Sequence, residues 1–483
     1  MKREFLINIA FLLAVNLLIK PFYLFGIDRA VQNAVSPAAY GLYFALFNFT
    51  FLFQIVTDFG LQNFNNRNIS QHHHMLDKYF PNLLILKGLL AVAYFVLAFI
   101  AALAAGYESA YWPLLAIIAV NQVLNSLVLF LRTNISGLGL YRLDSLMSVA
   151  DRLLLILICG LLLWSPYFHG QFRIEWFVWA QTAALGFTAI LAFFIVRRRL
   201  KVLRFRFNLP FLLLMLRRSA PYALSVLLMA IYNRIDGVMI ERMLPDGKIE
   251  AGIYASAYRL FEAGNMIGFL FASLLLPIFS RMLKQHEDVG SLVRLSFQMI
   301  AAGALALLCC VGFYRTEVMV ALYDSGSAYS GRVLFYLLAS FLAVYGSYIY
   351  GTLLVANGNL RPLNYLFAAS LVLNATLNYI LIPGMKAEGA ALATCITQFT
   401  VFVAEVALVQ LKLKLPLAFE TVGRLLAFAL LLLAATYLGG RYLLWFWPWR
   451  LLLSLALGGL LALALRLLEL RSLLQLRQEG LGS

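Results

Sequence analysis

Long apolar runs alternate with short polar breaks along nearly the whole chain. Runs of spanning length cover Phe5–Phe25, Ala38–Leu61, Phe80–Ala105, Ala110–Leu131, Leu146–Trp164, Ile174–Val196 and Ala220–Ile240. Seven more cover Ile253–Phe279, Leu292–Phe313, Val333–Ala356, Leu363–Ile382, Ala390–Leu411, Val422–Leu438 and Trp445–Leu468. A bilayer core takes about 20 residues of helix, which each run roughly supplies. All are predicted helical, because lipid leaves an open strand unsatisfied and no run alternates with the period of a membrane barrel. The first run follows Lys2 and Arg3 as a signal peptide would, but Lys20-Pro21 interrupts it and no Ala-x-Ala exit follows. It is read as a mature helix, and the expected fold is an all-α polytopic membrane protein with about 14 transmembrane helices.

Composition sharpens this picture. The 483 residues are 63% hydrophobic and 12% charged, where soluble domains carry about twice that charged share. A water-soluble fold is excluded, and little chain is left for an extramembrane domain. Cys159, Cys309, Cys310 and Cys395 all fall inside apolar runs and read as buried free thiols. The net charge of +16 is explained by topology before nucleic acid, for which no partner role is expected. With a cytoplasmic N-terminus, about 24 Lys and Arg lie in inside loops and tails, about 9 outside and about 5 within spans, so both termini are expected in the cytoplasm. The densest positive stretch, Arg197 to Arg218, has interleaved Phe205, Phe207, Phe211 and Leu212 and reads as an interfacial linker against anionic headgroups.

A faint duplication pairs Tyr40-Gly41-Leu42-Tyr43 with Ala251-Gly252-Ile253-Tyr254, and Gly139-Leu140-Tyr141-Arg142 with Gly358-Asn359-Leu360-Arg361. The offsets are similar and each pairs span n with span n+6, so the repeats are expected to be parallel. This gives two six-helix lobes around a central cavity, residues 1–196 and 220–411, joined by the basic linker 197–219. Residues 412–483 would add two helices and a cytoplasmic tail.

Charges inside spans carry the candidate chemistry, since each costs roughly 2.5 to 3.5 kcal/mol at the bilayer centre and tends to face a partner or a wet cavity. Arg234 and Asp236 lie in span seven, Arg259 and Glu262 in span eight. Counted inward from the outer ends, Arg234 and Arg259 are each roughly 10 to 14 Å deep, and Glu262 shares a helix face with Arg259 as a charge partner. Buried pairs that only join helices, Arg234 with Glu262 or Asp236 with Arg259, are the alternative, but small residues would join helices at less cost, and a polar cavity is the favoured reading. Lys20, next to Pro21, adds positive charge to the first half, as do Lys87 and Arg152 with Asp58 and Asp151 as candidate partners. Asn374 and Asn378 share one face of span eleven and Thr394 opens span twelve; their oxygens suit a hard monovalent cation, although hydrogen bonds between helices are the plainer reading. His72-His73-His74 has no neighbouring ligands to complete a metal site, and no catalytic motif or phosphate loop is present.

Two longer stretches then resemble a known family. Arg234-Ile235-Asp236-Gly237-Val238-Met239-Ile240, Ala251-Gly252-Ile253-Tyr254-Ala255-Ser256-Ala257-Tyr258-Arg259-Leu260 and Leu276-Pro277-Ile278-Phe279-Ser280-Arg281 resemble spans seven and eight of bacterial oligosaccharide-lipid flippases. These are the polysaccharide biosynthesis (O-antigen) members of the multidrug/oligosaccharidyl-lipid/polysaccharide exporter superfamily. Leu353 to Asn359, Leu377 to Gly384 and Glu388 to Thr394 resemble their spans ten to twelve. The resemblance implies two lobes that open alternately and move a polyprenyl-pyrophosphate-linked oligosaccharide across the bacterial inner membrane. The protein would act as a monomer among membrane lipids, associated with glycan polymerase machinery. Arg234, Arg259 and Lys20 would bind the pyrophosphate. Relatives that flip peptidoglycan precursor carry a sodium site whose matching positions are Asp236, Asn374, Asn378 and Thr394; Asn378 replaces a second acid, so Na+ and H+ both stay open as coupling ions. No other cofactor and no catalytic residue are expected. A peptidoglycan-precursor flippase is the nearest alternative, and a membrane glycosyltransferase or glycan polymerase the alternative of another class.

Overall fold

A computed structural model describes residues 18–62, 69, 76–168, 170–200, 209–415 and 419–468. Most of the first run, His72-His73-His74, the heart of the basic linker and the C-terminal tail lie outside these residues. Among the described residues the fold is helical without strands. Helix α1 covers 18–34, winding as a π-helix over Tyr23–Asp28 before an α-helical end, Arg29–Ala34. It is followed by α2 (Pro37–Leu52), α3 (Leu76–Ala104), α4 (Trp112–Gly137), α5 (Tyr141–Trp164), α6 (Ile174–Arg197) and α7 (Leu209–Met243). Then come α8 (Gly247–Lys284), α9 (Gly290–Phe313), the short α10 (Arg315–Leu322), α11 (Ala328–Ala356), α12 (Leu360–Leu413), α13 (Phe419–Tyr442) and α14 (Trp447–Ala464).

Among the described residues ten helices are long and apolar enough to cross a membrane. Large apolar side chains on their outer faces, such as Leu161, Phe194 and Leu430, are exposed as lipid-facing groups should be. The protein is a multi-pass membrane protein. One run departs from its boundary for a local reason, and a second break falls where the runs leave a gap. The second run stops being α-helical at Leu52 and turns through the 3-10 segment Gln54–Thr57, because the Thr57 carbonyl and Asp58 carboxylate are taken by the buried Lys87 ammonium, at 3.1 and 2.6 Å, with Ser126 Oγ a further 2.8 Å acceptor. Runs eleven and twelve are two helical limbs, together labelled α12, that meet at a kink at Lys386, in the gap between the runs, where φ of 55° and ψ of −131° are not helical. Tyr329 Oη accepts the Ala387 amide there at 3.1 Å, and Arg332 pairs with Glu388 at 2.9 Å.

By contacts the chain forms two compact units, Met1–Gly252 and Ile253–Ser483. In the first, Phe80 of α3 stacks on Phe130 of α4 at 5.8 Å, within an apolar cluster that includes Leu83, Ile135 and Val196. In the second, α13 and α14 bring Phe428, Leu432 and Ala462 against Cys309 and Cys310 of α9. Lipid is as apolar as these side chains, so close fit rather than escape from water holds such clusters together. The four cysteines are free thiols, three of them buried. The glycines of the first repeat motif have a direct packing role: a Cβ on Gly41 would lie 1.8 Å from the Lys248 carbonyl oxygen, and one on Gly252 would lie 2.2 Å from the Pro37 carbonyl oxygen. Helix α2 and the start of α8 therefore cross backbone to backbone.

Candidate functional site

In the first unit the seventh span carries its charges at its crossing with α2. Gly237 permits that crossing, since a Cβ there would come within 2.6 Å of Asn48 Nδ2 and 2.7 Å of Phe44 Cε1. One turn earlier, the half-buried Arg234 guanidinium donates a long 3.4 Å hydrogen bond to Asn48 Oδ1. It also lies over the rings of Phe51 and Phe47, with centroids 5.0 and 5.9 Å away. Each aromatic face attracts the cation by about 0.5 to 2 kcal/mol and helps to hold the guanidinium in place. Asp236, on the same helix, is 2% exposed.

Lys20 is half-buried on α1, immediately before Pro21 and the π-helical turn. Its charged surroundings are Arg152, Arg132 and Asp151. Arg152 lies over the Tyr23 ring at 4.7 Å and 3.5 Å from Asp151, while Arg132 pairs with Asp144 at 2.8 Å. Mid-helix π-turns recur at functional sites because they redirect side chains from the regular helical face. This one carries Asp28 into the interior, where it is fully buried and accepts the Tyr40 hydroxyl at 2.5 Å.

In the second unit Arg259 donates to Glu262 Oε2 at 2.6 Å, one turn along α8. Their side chains remain 11% and 21% exposed, so the pair is sheltered but accessible. Asn374 and Asn378, both buried, share the first limb of α12, with Asn378 Nδ2 donating to Asn374 Oδ1 at 3.1 Å. Thr394 is buried on the second limb. The structure thus brings Arg259 to Glu262 and Asn374 to Asn378, as their spacing predicts, and places Arg234 and Asp236 in the first unit. Among the described residues no group of three His, Cys, Asp or Glu side chains could hold a metal ion.

Several polar residues escaped the sequence reading. Asn48 stands alone among aromatics in Phe47-Asn48-Phe49, and Glu405 is a fully apolar-flanked acid of α12 that is 2% exposed. A polar group inside an apolar span was the signal that would have found both. Asp28 lay beyond the apolar run and becomes internal only because the π-turn carries the helix on to Ala34. Past the end of the seventh span, Glu241 is buried near Tyr107 and Lys248, with its Oε2 lacking a hydrogen-bond donor among the described residues. Burial pushes its carboxyl above the ordinary glutamate range, against the opposing pull of Arg242, whose guanidinium covers Tyr107 and donates to the carbonyls of Ala105 and Gly106.

Comparison with known proteins gives one family and one fold. Residues 5–283 match the family described as polysaccharide biosynthesis protein. Among curated proteins none matches the sequence. Of solved structures, that described as lipid II flippase MurJ in an inward closed conformation is similar with a TM-score of 0.73 at 15% identity, over 94% of this chain and 98% of that one. An inward-facing multidrug resistance MATE family transporter of the MOP superfamily gives 0.59 at 14% identity, over 81% and 94%. A MOP superfamily transporter from Pyrococcus furiosus gives 0.56 at 14% identity, over 84% and 94%. At these identities the likeness establishes the fold.

Proposed function

The chain belongs to the polysaccharide biosynthesis protein family, and from that premise we propose that it is a flippase that moves a polyprenyl-pyrophosphate-linked oligosaccharide across the bacterial cytoplasmic membrane by alternating access. The observation that carries this reading is the Arg234 guanidinium, held within a span by an amide and two aromatic faces. A pyrophosphate offers paired anionic oxygens, which a guanidinium meets with paired donors and an ammonium meets as a point charge. Arg234, Arg259 and Lys20 engage it in the course of the transport cycle, with Glu262 holding Arg259 until the phosphate competes for it. The polyprenyl tail stays in the bilayer, so only the polar head needs a path. Asp236, Asn374, Asn378 and Thr394 supply carboxylate, amide and hydroxyl oxygens for a coupling Na+, or Asp236 carries a coupling H+.

A peptidoglycan lipid precursor presents the same pyrophosphate to the same residues and is the second reading, to which the fold shared with the lipid II flippase lends support. In cells, Arg234→Ala and Arg259→Ala are expected to abolish surface glycan display while protein abundance stays near normal. Parallel loss of abundance in both variants would reassign the two arginines to folding. Loss of viability with intact surface glycan would favour the peptidoglycan precursor.

A further inference from the structure

Within the second unit, a cavity of about 260 Å³ lies among α9, α11, α12 and the start of α13. Its wall is a mutually packed trio of aromatics: Phe297 lies 5.8 Å from both Phe402 and Tyr350, and Tyr350 lies 5.9 Å from Phe402. Val403 and Val422 also line it, yet are 63% and 49% exposed, so the cavity opens sideways through the apolar surface that faces lipid. An opening there admits what the bilayer supplies, and the apolar interior suits a hydrocarbon chain.

The mouth has a different chemistry. Arg294 lines the cavity from the first turns of α9, Gln410 from the last turn of α12, and Thr421 from the first turn of α13. Thr421 is fixed by the Gln298 amide, which donates to its hydroxyl at 3.0 Å. Arg294 is exposed and makes no ion pair among the described residues. Lys412 and Lys414, also exposed, flank the same end of α12. Of the acids near this end, Glu420 pairs with Arg424, and Glu287 and Asp288 lie exposed in the turn before α9, where Asp288 accepts the Gly290 amide; Arg294, Lys412 and Lys414 outnumber these two. The rim is therefore positive. By the charge bias of the sequence, it lies at the cytoplasmic surface.

The dimensions match one leaflet. Phe402 and Val403 sit about ten residues before the end of α12, so the cavity reaches roughly 15 Å inward, half of a ~30 Å hydrocarbon core. We propose that this cavity binds an anionic phospholipid of the adjoining leaflet, one acyl chain between Val403 and the aromatic wall and the phosphate on Arg294. Basic pockets between membrane helices at the cytoplasmic face bind anionic headgroups in this way. The site is independent of the transported substrate and of the residues proposed to move it.

Native mass spectrometry of the purified full chain, incubated with phosphatidylglycerol or with phosphatidylcholine of the same chains, tests the assignment. The wild type retains phosphatidylglycerol over phosphatidylcholine by about fivefold. Arg294→Gln brings that ratio close to one with the melting temperature unchanged, and Val403→Trp, which fills the opening, reduces retention of both lipids. Equal retention of the two lipids by the wild type, or an Arg294→Gln variant that keeps the preference, overturns the proposal. Displacement of phosphatidylglycerol by equimolar undecaprenyl phosphate also overturns it and gives the cavity to an isoprenoid chain.

Discussion

The residues that carry charge in this protein are stabilised in different ways, and the differences predict different responses. Arg259 has a carboxylate partner within its own helix, and Arg234 has an amide oxygen and two rings of another helix among its contacts. Spacing made the first arrangement legible, since residues three apart share a helix face; the second depends on α2, which no local pattern ties to α7. Asp236 is buried beside Gly237, and under the coupling role proposed for it Asp236→Asn is expected to weaken transport and to flatten its dependence on sodium or pH. Unchanged transport across both titrations would remove it from coupling. Glu241 gives a stability prediction. Its folded carboxyl is raised above the ordinary value of about 4.3, so its contribution is present below that pH and is lost as pH rises through the raised value. The melting temperature of the purified protein should therefore decline over that window, and Glu241→Gln, which stays neutral, should decline less. Identical pH profiles would show that Glu241 is solvated in the folded protein.

At the scale of elements, the apolar runs located nearly every helix, because a bilayer demands about 20 apolar residues and a fully satisfied backbone wherever the chain crosses. The runs marked the break at Lys386, since one ends at Ile382 and the next begins at Ala390, but not the break at Leu52, where the run Ala38–Leu61 continues. The end of α2 at Leu52 depends on Lys87 reaching Thr57 and Asp58 from another helix, and the turn at Lys386 depends on Tyr329 and Arg332 of α11. Both breaks are held by side chains of other helices, but only at Leu52 does the apolar pattern run on through the break. The repeat motif was visible as sequence, but its meaning was not: Gly41 and Gly252 recur because α2 and the start of α8 meet there with no room for a side chain. Gly41→Ala would press a methyl group into the Lys248 carbonyl, which has no rotamer to yield, and is expected to cost about 3 kcal/mol, at the upper end for overpacking. A matching loss of thermal stability in detergent is the check. An unperturbed melting curve would mean that the two helices separate more readily than their packing implies.

For the whole molecule, fold and family were within reach of the sequence: the apolar runs give the helical membrane fold, and the motif stretch from Arg234 to Arg281 lies inside the matched residues 5–283. The cargo was less legible. Arginines suited to a pyrophosphate do not distinguish the glycans attached to it, and the sugar-facing surface of a flippase has no fixed motif. The central claim is that Arg234 and Arg259 act on the pyrophosphate of a lipid-linked glycan as it crosses. The most direct measurement reconstitutes the purified protein in liposomes with a fluorescent polyprenyl-pyrophosphate oligosaccharide and follows its appearance in the opposite leaflet with a membrane-impermeant quencher. Leaflet exchange is expected with wild-type protein, and exchange at the protein-free rate with Arg234→Ala or Arg259→Ala reconstituted at equal density. Wild-type rates in both variants would contradict the central claim.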